Sequence, residues 1–171
     1  MRNKSIKEKR VLAIDPTTKG FGFAVMEGPE RLIDWGVKEA KKKKNDRCLE
    51  IIADLANQYE PDAIVIEDYA GKGSRRCRRV EGLIDCILDL GLKRRIPIRK
   101  FSRAKVQEAF YELGAKTKHQ ISTAIAQRIP ELAPRLPPYR KCWMSEDYRM
   151  NIFDAVSFAL TFYHIENNRK I

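Results

Sequence analysis

The sequence predicts an α/β domain built on a five-stranded mixed sheet flanked by helices. Its 171 residues are about the size of one domain. Short apolar runs of strand length come first and then alternate with amphipathic segments of helix length. We expect residues 1–10 to form a basic N-terminal arm and residues 11–171 to form a single domain.

The first part of the chain predicts three strands in an antiparallel meander. Strands are expected at residues 11–15, 21–26 and 31–39. Pro16 and Gly20 bound the first connection, and Gly28 with Pro29 forms the second. Tight connections of this kind join antiparallel neighbours.

The remaining segments predict helices separated by two further strands. Helices are expected at residues 45–60, 75–90, 103–113, 117–129 and 146–167, and strands at residues 63–67 and 97–101. Asn45 or Asp46 is expected to cap the first helix and Ser102 the third, while Thr117 and Gln120 have the spacing of a capping box. The continuous apolar run at residues 63–67 is typical of a central parallel strand.

The charge balance indicates a polyanionic partner. Lys and Arg number 34 against 23 Asp and Glu, which gives a net charge of +11. Nucleic acid is the commonest partner of such a basic domain, although a merely solvated surface is the alternative. No apolar run reaches the length of about 18 residues that a membrane span needs, and the first apolar run is too short for a signal peptide.

The four cysteines lack the spacing of a zinc site. We therefore expect reduced thiols in a protein that is not secreted and works in the cytoplasm or another compartment that contains nucleic acid.

Acidic side chains end two of the apolar strands. Asp15 shares a strand face with Val11 and Ala13, and Glu67 shares one with Val65. If the two strands are parallel neighbours, both carboxylates meet at one end of the sheet. A buried carboxylate is costly unless it is paired or binds a metal, and such oxygens suit Mg²⁺ or Mn²⁺. The alternative is that each acid forms a turn or caps a helix.

The predicted final helix offers a third group of oxygen ligands. Asp147, Asn151 and Asp154 have helical spacing on one face. Asp147 and Asp154 are two turns apart, about 10.5 Å at about 1.5 Å per residue, which is too far for both to bind one ion. A straight helix favours Asn151 as the residue that completes the site with Asp154, and leaves Asp147 farther away or at the helix cap.

Four segments between residues 11 and 164 together match one known family. They are Ala13-Ile14-Asp15-Pro16 with Gly20-Phe21-Gly22, then Val65-Ile66-Glu67, then residues 114–120, and finally Asp154-Ala155. In this order they resemble the RuvC-like Holliday junction resolvases of the RNase H-like nuclease superfamily. The resemblance implies an RNase H-like fold and a homodimer that nicks four-way DNA junctions symmetrically in DNA recombination and repair, leaving 5′-phosphate ends.

The resemblance also assigns roles to site residues. It implies that Asp15, Glu67 and Asp154, with Asn151, hold two Mg²⁺ ions per site, for which Mn²⁺ would substitute. Lys118 is expected to contact the scissile phosphate or the attacking water, although a solvated lysine is the alternative.

Two positions depart from the family pattern. The family often has an acid where this chain has Asn151, and a lysine where it has Gln107. Arg103 or Lys105 is expected to replace that lysine. Because this acid is missing, a non-catalytic module that only binds junctions remains an alternative function.

Basic residues around the acids are expected to bind DNA phosphates. They are Lys72, Arg75, Arg76, Arg78, Arg79, Arg103, Lys105, Lys116 and Lys118. Tyr69 is placed to stack on an unpaired base, with ordinary packing as the alternative. Two other enzyme classes remain: an RNase H-like nuclease that processes RNA, and an actin-like ATPase, for which the chain is short and shows no second phosphate loop.

Overall fold

The computed structural model describes residues 7–69, 77–166, 168, 170 and 171 and contains a five-stranded sheet in the order β3-β2-β1-β4-β5. The strands are β1 (Arg10–Pro16), β2 (Gly20–Glu27), β3 (Leu32–Glu39), β4 (Ala63–Glu67) and β5 (Ile98–Phe101). The first three are antiparallel neighbours, and β4 runs parallel to both β1 and β5. The predicted mixed sheet is confirmed.

Five helices cover the two faces of this sheet. They are α1 (Lys44–Tyr59), α2 (Arg78–Arg94), α3 (Arg103–Ala109), α4 (Lys118–Arg128) and α5 (Met150–Glu166). Helices α1 and α2 cover one face, and α5 lies on the other with α3 and α4 packed against it. No helix in the described part of the chain is long and apolar enough to cross a membrane.

Helix α5 is the central helix of the fold. Residues 152–163 are buried on every side, because the helix lies between the sheet and its two companions. The single Tyr163 O–H proton is shared between the carbonyl oxygens of Lys9 (2.7 Å) and Met26 (3.0 Å), and the hydroxyl oxygen accepts from the Gly28 N–H. Helix α5 is thereby tied to both strands of the β1–β2 hairpin at its open end.

Most predicted helix caps are confirmed, and one is wrong. The Ser102 hydroxyl accepts from the Lys105 N–H, and Thr117 forms a complete capping box with Gln120. Neither Asn45 nor Asp46 caps α1, which begins one residue earlier, after a left-handed Lys43. The Asn45 amide instead donates to the Arg79 carbonyl of α2 at 2.9 Å, a contact between helices that outweighs the local cap.

Two helix ends also differ from their predictions. Helix α3 ends at Ala109 rather than Leu113, because buried Phe110 turns inward and residues 111–113 form a separate 3-10 turn. Helix α2 extends to Arg94 rather than Leu90. The four cysteines are free thiols. The proposed arm falls mostly on residues 1–6, which lie outside the described residues.

Candidate functional site

The carboxyl ends of the two central parallel strands carry Asp15 and Glu67. Val11 lies opposite Ala63 and Ala13 opposite Val65, so the same register brings Asp15 beside Glu67. Asp15 is only 3% exposed, and Glu67 is half-buried. Both lie on the face that α5 covers, as the strand pattern predicts.

The first turn of α5 lies directly over this end of the sheet. Gly22 of β2 pairs with Asp15, and a Cβ atom added to Gly22 would lie 2.6 Å from the carbonyl carbon of Asn151. Only a residue without a side chain lets the helix approach this closely. Asn151 is thereby held next to the strand end that carries Asp15.

Asp154 lies one turn further along α5 and is 5% exposed. The Lys118 ammonium lies 2.8 Å from Asp154 Oδ2, and the Arg103 guanidinium lies 3.5 Å from Oδ1. Lys118 also contacts both oxygens of Glu146, at 3.1 and 3.2 Å. Two helix starts, of α3 and α4, therefore bring cations to the third carboxylate of the predicted set.

The protonation of Lys118 follows from these contacts. Burial by itself would lower the pKa of the ammonium group, but the nearby Asp154 and Glu146 carboxylates outweigh it, and the pKa is raised above its usual value. Lys118 is therefore a permanent cation at the centre of the site. Such a cation suits contact with a phosphate oxygen.

The predicted place of Asp147 on the last helix is wrong. Helix α5 begins at Met150, so Asp147 precedes it and shares no helix face with Asp154. Asp147 Oδ1 accepts from the Arg149 N–H and from its guanidinium, both at 2.9 Å. These local bonds form a turn ahead of the helix, which starts four residues later than the sequence suggests. The Asp147 side chain closes this turn and accepts no hydrogen bond from the N–H groups of α5 itself.

The donor groups at this end of the sheet bear on metal binding. Among the residues described here, no three acidic, His or Cys side chains are clustered closely enough to hold a metal ion. The Asp154 carboxylate is occupied by Lys118 and Arg103, which offset its buried charge. The oxygen donors are nevertheless of the type that Mg²⁺ prefers, and they lie on one face at one sheet end. The metal ligands Asp15, Glu67, Asp154 and Asn151 stay a prediction.

The chain is similar to known proteins over most of its length. It is 25% identical over 134 residues to the RuvC crossover junction endodeoxyribonuclease of Bacteroides fragilis. The aligned region covers 72% of this chain and 71% of that protein. RuvC of Thermus thermophilus superposes with a TM-score of 0.69 at 18% identity, covering 94% of this chain and 98% of that one. The chain has the RuvC-like resolvase fold. No protein-family model matches it.

Two further solved structures share this fold. One is Thermus thermophilus RuvC in complex with its Holliday junction substrate, with a TM-score of 0.69 at 17% identity, covering 95% of this chain and 98% of that one. The other is the yeast mitochondrial Holliday junction resolvase, with a TM-score of 0.62 at 17% identity, covering 95% of this chain and 83% of that one. The resemblance inferred from the motifs is confirmed.

The predicted DNA contacts around α2 fall into three groups. Lys72, Arg75 and Arg76 lie outside the described residues. Arg78 is exposed at the start of α2. Arg79 is held within the RuvC-like fold, since its guanidinium donates to the Thr17 carbonyl and to Asn45 Oδ1. Arg79 therefore fastens the β1–β2 turn to two helices.

The other predicted contacts lie near α3, α4 and the end of β4. Lys116 is exposed, and exposed Lys105 pairs with Glu108 at 3.1 Å. Arg103 reaches Asp154, so of the two candidates it is the one positioned to replace the family lysine at Gln107. Tyr69 is half-buried and packs against the apolar cluster under α1 and α2, which favours the packing alternative.

Sequence reasoning missed two features of the site. The sequence places Glu146 only at the start of the last helix, yet it is a partner of Lys118. No sequence signal connects a helix start with a loop residue 28 positions further along the chain. Gly22 was quoted only as part of a motif, although a glycine opposite a strand-end acid signals close approach by another element.

Proposed function

We propose that this chain is a structure-selective endodeoxyribonuclease that nicks four-way DNA junctions. The observation that carries the proposal is the meeting of Asp15 and Glu67 at adjacent parallel strand ends, under the helix that supplies Asp154. The RuvC-like fold over nearly the whole chain supports it. So does the sequence similarity to a crossover junction endodeoxyribonuclease.

The activity would be metal-dependent, with Mg²⁺ as the metal and Mn²⁺ as a substitute. Asp15, Glu67 and Asp154 would hold two ions together with the Asn151 amide oxygen. Bound there, the ions would activate a water molecule and stabilise the charge on the phosphodiester. Asn151 is a weaker donor than a carboxylate, so the metal affinity would be lower than with an acid at this position.

The basic residues would position the phosphate. Lys118 and Arg103 lie on the two oxygens of Asp154, and one buried guanidinium nitrogen of Arg103 donates to no acceptor among the described residues. An unsatisfied buried donor is costly, and a phosphate oxygen would satisfy it. Lys118 would stabilise the negative charge that develops on the phosphate during nicking.

The substrate is proposed from the relatives and from charge. The net charge of +11 favours a nucleic acid, and the Thermus protein with this fold was solved with a Holliday junction. A homodimer would place two sites across a two-fold axis and nick opposing strands symmetrically. DNA recombination and repair, in a compartment that contains DNA, would be the setting.

The test compares three substrates with the purified wild-type chain and Mg²⁺. They are a synthetic four-way junction, a linear duplex of the same arm sequence and a structured RNA. We expect paired nicks with ligatable ends in the junction, few in the duplex and none without metal. Preferred RNA cleavage would support the RNA-processing alternative, and tight junction binding without any nick would support the non-catalytic module.

A further inference from the structure

A cavity of about 440 Å³ lies beside Lys118, and neither Asp15 nor Glu67 lines it. It is formed between the start of α4 and the segment of residues 137–147, which joins the 3-10 turn at Pro130–Arg135 to α5. Its lining residues include Lys118, His119, Pro137, Tyr139, Met144 and Met150. The volume falls within the usual range for small-ligand sites, about 300–1,000 Å³.

The walls of the cavity suit a flat aromatic ligand. Pro137, Met144 and Met150 give it apolar sides, and Tyr139 keeps 71% of its surface exposed. The Tyr139 ring is held by the His119 ring, with centroids 5.3 Å apart and planes nearly perpendicular. This contact restrains the Tyr139 ring, and most of the residue's surface remains available for stacking.

The segment that forms the outer wall is braced by ion pairs and hydrogen bonds. Arg140 donates to the Met144 carbonyl at 2.5 Å and lies 4.0 Å from Glu146. Glu146 in turn binds Lys118, which also contacts Asp154. The cavity and the proposed nicking site therefore share Lys118 as a common wall.

We propose that this cavity binds one unpaired nucleobase of the nicked strand, next to the scissile phosphate, with Tyr139 as the stacking surface. The inference rests on the proposed nuclease function. An aromatic ring beside a cation that contacts phosphate is the arrangement that binds single-stranded nucleic acid. The cost of extruding a base is small where pairing is already broken, as at the centre of a four-way junction.

The test is photocrosslinking with a scanned base analogue. In the Asp15→Asn background, which keeps the strand intact, 5-iododeoxyuridine replaces each nucleotide near the scissile phosphate in turn. One position should crosslink to Tyr139, His119 or Met144, with the crosslinked residue located by fragment-ion mass spectrometry. Tyr139→Ala should reduce that yield about fivefold or more, because stacking on the ring is lost.

Trp143→Ala is the matched control. Trp143 is a similarly exposed aromatic residue on the same segment, but it does not line the cavity. The Lys141 ammonium lies 5.2 Å from the centre of its ring. This variant should retain the crosslink. Crosslinking to Trp143 or Tyr148 that is unaffected by Tyr139→Ala would overturn the proposal, as would junction binding with no crosslink to this segment.

The experiment distinguishes failure of the base-binding proposal from failure of the proposed nuclease function. Wild-type nicking of an unlabelled junction is measured separately. Nicking without a crosslink that depends on Tyr139 refutes the cavity proposal and leaves the nuclease function intact. A crosslink that depends on Tyr139, without nicking by the wild type, supports the base site and refutes the nuclease function.

Discussion

The two faces of the sheet come from the same strands but differ in side-chain size and polarity. Under α1 and α2, the strands present large apolar residues such as Leu12, Ile14 and Ile66. Under α5 they present smaller ones, such as Ala13 and Ala24, and the face ends at Asp15. Small residues let α5 approach the sheet closely. The strands therefore present less apolar side-chain volume on this face, and its acids are held in defined positions. Both faces contribute buried apolar residues to the core, but only the second carries the acids of the site.

The largest expected effect separates these roles directly. Asp15→Asn should lower the junction nicking rate on the order of 1,000-fold or more while junction binding and the unfolding midpoint are retained. The reason is that the change removes one negative charge and little volume. Nicking is measured on a labelled junction, and binding by gel shift.

Leu12→Ala is the counterpart on the other face. It should lower the free energy of unfolding by about 2–5 kcal/mol and leave the nicking rate per folded molecule unchanged. If Asp15→Asn nicked the junction at the wild-type rate, the proposed difference in function between the two faces of the sheet would be contradicted.

The next effect concerns the close approach of α5. Gly22→Ala should lower nicking by about 100-fold, because a methyl group there meets the Asn151 backbone and shifts the helix that carries Asp154. The free energy of unfolding should also fall by about 1–3 kcal/mol. Rates and chemical denaturation curves measure the two effects.

Gly36→Ala is the matched control on β3. A methyl group at Gly36 meets only the Phe23 ring, at 3.2 Å, and that side chain can yield. Nicking should stay near the wild-type rate. Equal losses in both glycine variants would show that the effect is general strain in the sheet rather than placement of α5.

A smaller effect on the nicking rate is expected at Lys118, which lines the cavity and contacts Asp154. Lys118→Ala should reduce the nicking rate about tenfold or more at saturating junction, since the cation beside Asp154 is lost. Lys42→Ala removes the same charge from an exposed loop residue and should behave like the wild type. A change below about twofold in Lys118→Ala would show that this cation only offsets the charges of Asp154 and Glu146.

The smallest effect tests the residue that completes the metal site. Asn151→Asp should keep or raise activity by a few-fold and lower the Mg²⁺ concentration needed for half-maximal nicking, because a carboxylate binds the ion more strongly. Asp147→Ala should matter little, since Asp147 is bonded to Arg149 before the helix begins. Lost cleavage in Asp147→Ala, with wild-type behaviour in Asn151→Ala, would reverse the assignment.

Local patterns predicted the antiparallel meander of β1, β2 and β3. They also predicted that Asp15 meets Glu67 if β1 and β4 are parallel neighbours, because alternation and strand-end position decide which face a residue shares. They could not predict the contacts between distant segments. The contact of Glu146 with Lys118 joins a loop to the start of α4, and the start of α5 at Met150 depends on the turn that Asp147 makes with Arg149. Helical spacing alone therefore extended α5 too far, across a residue whose side chain ends the preceding loop.

The central claim is that the carboxylates on the α5 face jointly hold the metal that nicks DNA. Anomalous diffraction from crystals grown with a four-way junction and Mn²⁺ tests it most directly, with the Asp154→Asn variant as control. The account predicts Mn²⁺ peaks within bonding distance of Asp15, Glu67 and Asp154, lost or weakened in the variant. Mn²⁺ bound elsewhere, or Lys118 still paired with Asp154 and no peak at the strand ends, would contradict it.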